Sequence, residues 1–248
     1  MQEKTPLCVV STSETMNDVF PEWLRLSYDG EHYRPYDLNM PLSIPKRPIS
    51  HYKFDPPITQ NGVELAKCVA DNLLHAHFHP STIYSSPDLA SIQTAFSIIS
   101  VFKNKDLSIK IEPAISRWRG LEPIETTDRW MNVEDLNALG YSVDSTYIPQ
   151  KSVKTLKDSS HESIEDYVNR IRVALTSAEE QGKNCLMIAD PATLLILQNN
   201  NCDLTKPLEL TKKRRHILPA SVSFNSHKHE KMLLPFTRSV EHGRLMKS

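Results

Sequence analysis

The sequence predicts an α/β fold, a three-layer α/β/α sandwich around a mostly parallel sheet. Three observations predict it. Short apolar runs suited to strands alternate with longer stretches of helical periodicity. The runs are apolar along their length instead of alternating, as in strands covered on both faces. The 248 residues and a hydrophobic fraction of 39% suffice for one sizeable core.

Leu7–Val10 reads as the first strand. Thr59–His77 reads as a helix, because Val63, Ala66, Val69, Ala70, Leu73 and Leu74 recur at helical spacing. Thr82–Tyr84 is the next strand. Ser86-Pro87 then supplies an N-cap and a first-turn proline for a helix over Asp88–Phe102. Leu107–Ile111 is strand-like. Ile164, Tyr167, Val168, Ile171, Val173 and Leu175 mark a long helix that stops near Gly182. Cys185–Ala189 closes the set as a strand. Two stretches break the pattern, at about 28–57 and 112–160, and both are rich in proline and aromatic residues. They read as insertions that shape a site within a single domain over 1–248.

Bulk properties exclude several classes. The formal net charge of -1 gives no electrostatic case for nucleic acid. The basic run Lys212-Lys213-Arg214-Arg215 reads as a solvated helix end or edge. No apolar run approaches the ~20 residues that span a bilayer, and no signal peptide is evident. Cys8, Cys68, Cys185 and Cys202 form no paired motif, which suits reduced thiols in an intracellular, cytoplasmic protein. With 6 glycines there is no glycine-rich phosphate loop. His75 and His79 have i, i+4 spacing but precede Pro80, and read as a solvated helix end. No metal and no cofactor is therefore expected.

Several short motifs stand in a fixed order: Val19-Phe20, Leu38-Asn39-Met40-Pro41, Pro57-Ile58-Thr59-Gln60-Asn61-Gly62, Tyr84-Ser85-Ser86-Pro87, Gln93-Thr94-Ala95, Glu112-Pro113 and Val143-Asp144-Ser145-Thr146-Tyr147. On these the chain resembles the histidine phosphatase superfamily, whose fold is phosphoglycerate-mutase-like. Within it, the chain is most similar to the phosphatase domain of the suppressor-of-T-cell-receptor-signalling, or T-cell ubiquitin ligand, proteins. The resemblance implies the three-layer fold, with the site at the C-terminal strand ends.

It also implies a site set, and this chain departs from it. The family's signature Arg falls on Ser11, its nucleophilic His on Thr12 and the following Gly on Ser13, while the Glu is kept as Glu14. A further phosphate-binding Arg falls on Thr15, and the Arg after Ser-Pro falls on Ala90. The general acid falls on Arg117, and the second His on Asp190. Phosphohistidine chemistry needs a neutral imidazole, cations around the phosphate and an acid for the leaving oxygen. Each charge-assisted hydrogen bond to phosphate is worth about 1.5–3 kcal/mol, so losing several weakens binding by orders of magnitude. The expectation is a pseudophosphatase, not an enzyme, that acts as a protein-binding scaffold or regulator. Two alternatives stay open: a phosphatase with a rebuilt mechanism, and a binder of another small anionic ligand in the altered pocket. Arg117 and Asp190 are expected either to pair across the pocket or to face solvent in a wet cleft. Tyr28, Tyr33, Tyr36 and Tyr52 form either a partner surface or internal packing. By resemblance, a homodimer or a heterodimer with a related phosphatase is expected; the protein partner is not legible.

Overall fold

The computed structural model describes residues 7–118, 120, 129–158, 162–181, 184–198, 212–213, 216–225 and 232–233. A six-stranded sheet organises them. In chain order its strands are β1 (Leu7–Ser11), β4 (Thr82–Ser85), β5 (Ile109–Ile111), β6 (Cys185–Ala189), β7 (Val222–Asn225) and β8 (Met232–Leu233). A two-stranded ribbon, β2 (Tyr28–Asp29) with β3 (His32–Tyr33), lies in the first insertion. The spatial order is β5-β4-β6-β1-β7-β8. The first four of these strands run parallel, and the last two are antiparallel additions at one edge. The four predicted strands are all present, with the third shorter than expected.

The helices are α1 (Met16–Val19), α2 (Trp23–Leu26), α3 (Gln60–His75), α4 (Leu89–Phe102), α5 (Val133–Ala138), α6 (Val153–Asp158), α7 (Ile164–Glu180) and α8 (Pro191–Gln198). Side chains of a strand alternate between faces, and this alternation sorts the core into two layers. Cys8, Val10, Leu186, Ile188 and Ile83 point to one face and meet Ala66, Val69, Leu73 and Ile92 of α3 and α4. Leu7, Val9, Cys185, Met187 and Ala189 point to the other face and meet Tyr167, Ile171 and Leu175 of α7 with Leu194 of α8. Three layers follow from this sorting, since each strand residue buries its side chain against one helical layer or the other. A separate small core of Met16, Trp23, Met40, Tyr52 and Leu89 sits under the first insertion.

Local chemistry explains the helix starts. Thr59 caps α3 by accepting from the Gly62 N–H, and Ser163 caps α7 by accepting from the Asp166 N–H. Gly62 has a tertiary reason as well, because an added Cβ would collide with the Glu14 carbonyl. The first turn of α3 thus rests directly on the loop that leaves β1. The start of α4 differs from the prediction: its N-cap is Asp88, not Ser86, and the Asp88 side chain makes no capping bond. The carboxylate of Asp55, from the first insertion, accepts from the Leu89 N–H at 2.7 Å instead. At the end of α3, His77 adopts a left-handed φ of 56°. His75 and His79 therefore do not share one helical face. Arg214, Arg215 and Gly182 lie outside the described residues.

Candidate functional site at the C-terminal strand ends

The chain leaves β1 and β6 side by side. The last registered pair is Ser11 with Ala189, so the next residues, Thr12 and Asp190, are neighbours at the sheet's C-terminal edge. The Thr12 N–H donates to the Ala189 carbonyl at 3.0 Å. The Thr12 hydroxyl donates to the same carbonyl at 3.2 Å and lies 3.0 Å from the Ser91 hydroxyl. Neither partner is a base that could take its proton. Asp190 is 5% exposed and accepts from the Ala192 N–H at 2.9 Å at the start of α8.

The other predicted residues divide into pocket and scaffold. Ser13, Thr15, Ala90 and Arg117 line a cavity of about 440 Å³ together with Thr12 and Asp190. Ser11 and Glu14 hold the loop from behind. Ser11 donates to the Leu218 carbonyl at 3.1 Å and accepts from the Ser221 N–H at 2.8 Å. The Glu14 carboxylate accepts from Thr59 at 2.5 Å and from Asn39 at 3.0 Å, and so clamps the first insertion to the body. Ser13 donates to the Gly62 carbonyl at 2.7 Å. The Asp18 carboxylate accepts from both the hydroxyl and the N–H of Thr15. Ala90 is a short, buried side chain in the first turn of α4.

Sequence reasoning missed the charged wall opposite Thr12. Arg117 donates to Asp88 Oδ1 at 3.1 Å and to the Phe54 carbonyl. The same carboxylate oxygen accepts from the Trp130 indole at 3.2 Å, and its partner oxygen accepts from Ser86 at 2.6 Å. Arg117 thus forms an ion pair with Asp88, a residue the sequence reading used only as the start of a helix. Asp190, the partner in one of the two expected arrangements, also lines the cavity and has its Oδ1 on the Ala192 N–H. Behind Asp88, Asp55 pairs with Arg47 at 2.7 Å, and the guanidinium stacks 4.3 Å above the Tyr52 ring. Burial raises the Asp55 pKa to about 6; Arg47 pulls against that shift and the Asp88 charge adds to it. The wall thus joins both insertions, since Arg47 also donates to the Arg129 carbonyl at 3.1 Å.

Two further signals were present but unread. Lys53 lines the mouth, with its ammonium 5.2 Å from the Phe54 ring centre. Ile217, Leu218 and Pro219 supply an apolar side just before β7. Of the tyrosines, Tyr52 is fully buried, and Tyr28 and Tyr33 pack against Trp23, whereas Tyr36 is 49% exposed. Among the described residues no group of three or more His, Cys, Asp or Glu side chains could hold a metal. No helix among the described residues is long and apolar enough to cross a membrane.

Comparison with known proteins settles the family. No family model matches the chain. Over 173 residues it is 32% identical to the human (Homo sapiens) ubiquitin-associated and SH3 domain-containing protein A, a match covering 67% of this chain and 26% of that protein. The chain belongs to the histidine phosphatase superfamily. It is also 29% identical over 191 residues to an ecdysteroid-phosphate phosphatase of Drosophila melanogaster, covering 75% of this chain and 25% of that protein. The crystal structure of the ecdysone phosphate phosphatase from Bombix mori, in complex with tungstate, shares its fold at a TM-score of 0.73, with 20% identity over 94% of this chain and 93% of that one. The chain spans about a quarter of the length of these two sequence relatives. The superfamily's phosphoglycerate-mutase-like fold is thus the fold found.

One expectation is overturned here. The sequence reading took the altered signature to mean that the chain is not an enzyme. A relative matched over three quarters of the chain is a named phosphatase, so the loss of the expected side chains does not establish inactivity. The physical reason the inference fails is that the lost side chains rule on one route, through a phosphohistidine, and leave open the rebuilt mechanism that the sequence reading kept as an alternative. A water nucleophile and a carboxylate base need neither histidine.

Proposed function

We propose that this superfamily member hydrolyses a phosphate monoester in the Thr12–Asp190 cavity, with water as the nucleophile in place of a histidine. The observation that supports the reading is the placement of Asp190. Its carboxylate lines the cavity where the family's second histidine would stand, next to an unactivated Thr12. In this route Asp190 takes a proton from water, the water oxygen bonds to phosphorus, and the ester P–O bond breaks. Lys53 at the mouth supplies a donor to the phosphoryl oxygens. The acid position is Arg117, so the leaving oxygen departs best when it needs no proton, as in an aryl phosphate. Wild-type turnover of 4-nitrophenyl phosphate should exceed that of Asp190→Asn by about 100-fold in kcat, while Thr12→Ala changes it only slightly. Equal rates for the wild type and Asp190→Asn would sink the reading.

A second reading has its own support. Among the described residues Asp18, Asp88 and Asp190 line the cavity against the cations Lys53 and Arg117, while Asp55 beside them is paired with Arg47. This balance favours a small ligand bearing a positive charge over a phosphate dianion. A thermal shift with organic ammonium compounds, and none with phosphate monoesters, would select it. Protein association belongs to the proposal too: Leu38 and Leu42 of the first insertion are 99% and 83% exposed beside Tyr36. Sedimentation of the wild type against Leu38→Glu, Leu42→Glu tests self-association, with a fall in mass expected for the variant.

A further inference from the structure

The geometry points to Asp88 as the residue that sets the anion selectivity of this cavity, by holding the Arg117 guanidinium as an internal competitor of phosphate. This rests on the reading that the cavity takes a phosphate ester, and deepens it. Arg117 is a cationic side chain of the cavity, on the wall that the second insertion brings over the strand ends. A guanidinium in that place is a ready partner for a phosphoryl group. Here an intramolecular carboxylate already occupies it at 3.1 Å, and a backbone carbonyl, Phe54, takes a second bond.

Asp88 is well built for this task. It is 8% exposed, and both carboxylate oxygens are fixed from behind, one by the Trp130 indole and one by the Ser86 hydroxyl. Those two donors aim the charge, so Asp88 does not have to be ordered when Arg117 pairs with it. Its side chain makes no capping bond to α4 and lines the cavity instead. An incoming oxyanion must displace this pair and then sit beside the Asp88 charge. A dianion suffers more from that than a monoanion, so the pair discriminates by charge as well as by occupancy.

The test is a titration of the 248-residue chain with tungstate, followed by calorimetry. Asp88→Asn keeps an acceptor for Trp130 and removes the charge. It should bind tungstate about tenfold or more tightly than the wild type, and Asp88→Asn, Arg117→Gln should lose that gain. Asp88→Ala is the second variant should the amide disturb folding. In the wild-type background Arg117→Gln leaves the Asp88 charge without its partner and should weaken tungstate binding further. An unchanged or weaker affinity in a folded Asp88 variant overturns the inference. The outcomes separate from those for hydrolysis. Tighter tungstate without turnover leaves Asp88 in this role and removes the hydrolytic reading; turnover with no change in affinity does the reverse.

Discussion

The two walls of the cavity are built on different principles. The strand-end wall is Thr12, Ser13 and Asp190, held almost wholly by hydrogen bonds to backbone groups of neighbouring strands and helices. The insertion wall is Arg47, Asp55, Asp88 and Arg117, held by two ion pairs, Arg47 with Asp55 and Arg117 with Asp88. The first wall is as rigid as the sheet that carries it, and its chemistry can change with little effect on the fold. The second wall carries buried charges whose loss is felt throughout, because a buried charge without its partner is costly. A fold can therefore alter its reactive positions while its supporting charges stay constrained.

The largest effect should come from breaking the second wall. Arg47→Met leaves Asp55 buried without its cation and should destabilise by about 3–5 kcal/mol, lowering Tm by roughly 10 °C. The double variant Arg47→Met, Asp55→Leu should recover much of that loss, and thermal melts of both would decide it. If Arg47→Met melts like the wild type, the insertion wall is not held by charge. Next in size is the clamp between body and insertion. Glu14→Ala removes the acceptor of Thr59 and Asn39 and should cost about 2 kcal/mol in urea denaturation.

A pH profile sharpens the same contrast. The folded pKa of Asp55, about 6, lies above its ordinary value of 3.8, so the folded state binds the extra proton between those values. The contribution of Asp55 to stability is therefore fully present below about 4 and falls as pH rises towards about 6. The wild-type urea midpoint should show this fall across that window, and Asp55→Asn should lack it. The smallest effect belongs to the strand-end wall. Thr12→Val loses hydrogen bonds to Ala189 and Ser91 and should cost no more than about 1 kcal/mol.

How much of this was legible in the sequence follows from the same division. β1, β4 and β6 were readable because strands buried on both faces are apolar throughout, α3 and α7 because their apolar residues keep helical spacing, and α4 because Ser86-Pro87 announces a helix. The motif order then placed Thr12, Ala90, Arg117 and Asp190 at one edge, and six of the eight named positions do line the cavity. β7 and β8 escaped notice, since antiparallel pairing of Val10 with Val222 depends on contacts more than two hundred residues apart in sequence. The Arg117–Asp88 pair escaped for a related reason. Asp88 follows a Ser-Pro that imitates a helix start, and its ion pair joins it to a residue 29 positions on, in an aperiodic insertion.

The Trp130 indole that donates to Asp88 has a practical consequence. The chain has 3 tryptophans, and the other two are tied elsewhere, Trp23 to Asn17 and Trp118 to the Glu162 carbonyl. Replacing those two by phenylalanine leaves a single emitter in contact with the carboxylate that faces the cavity. Its spectrum should shift whenever the charge beside it moves, which equips the protein with a label-free optical gauge of what enters.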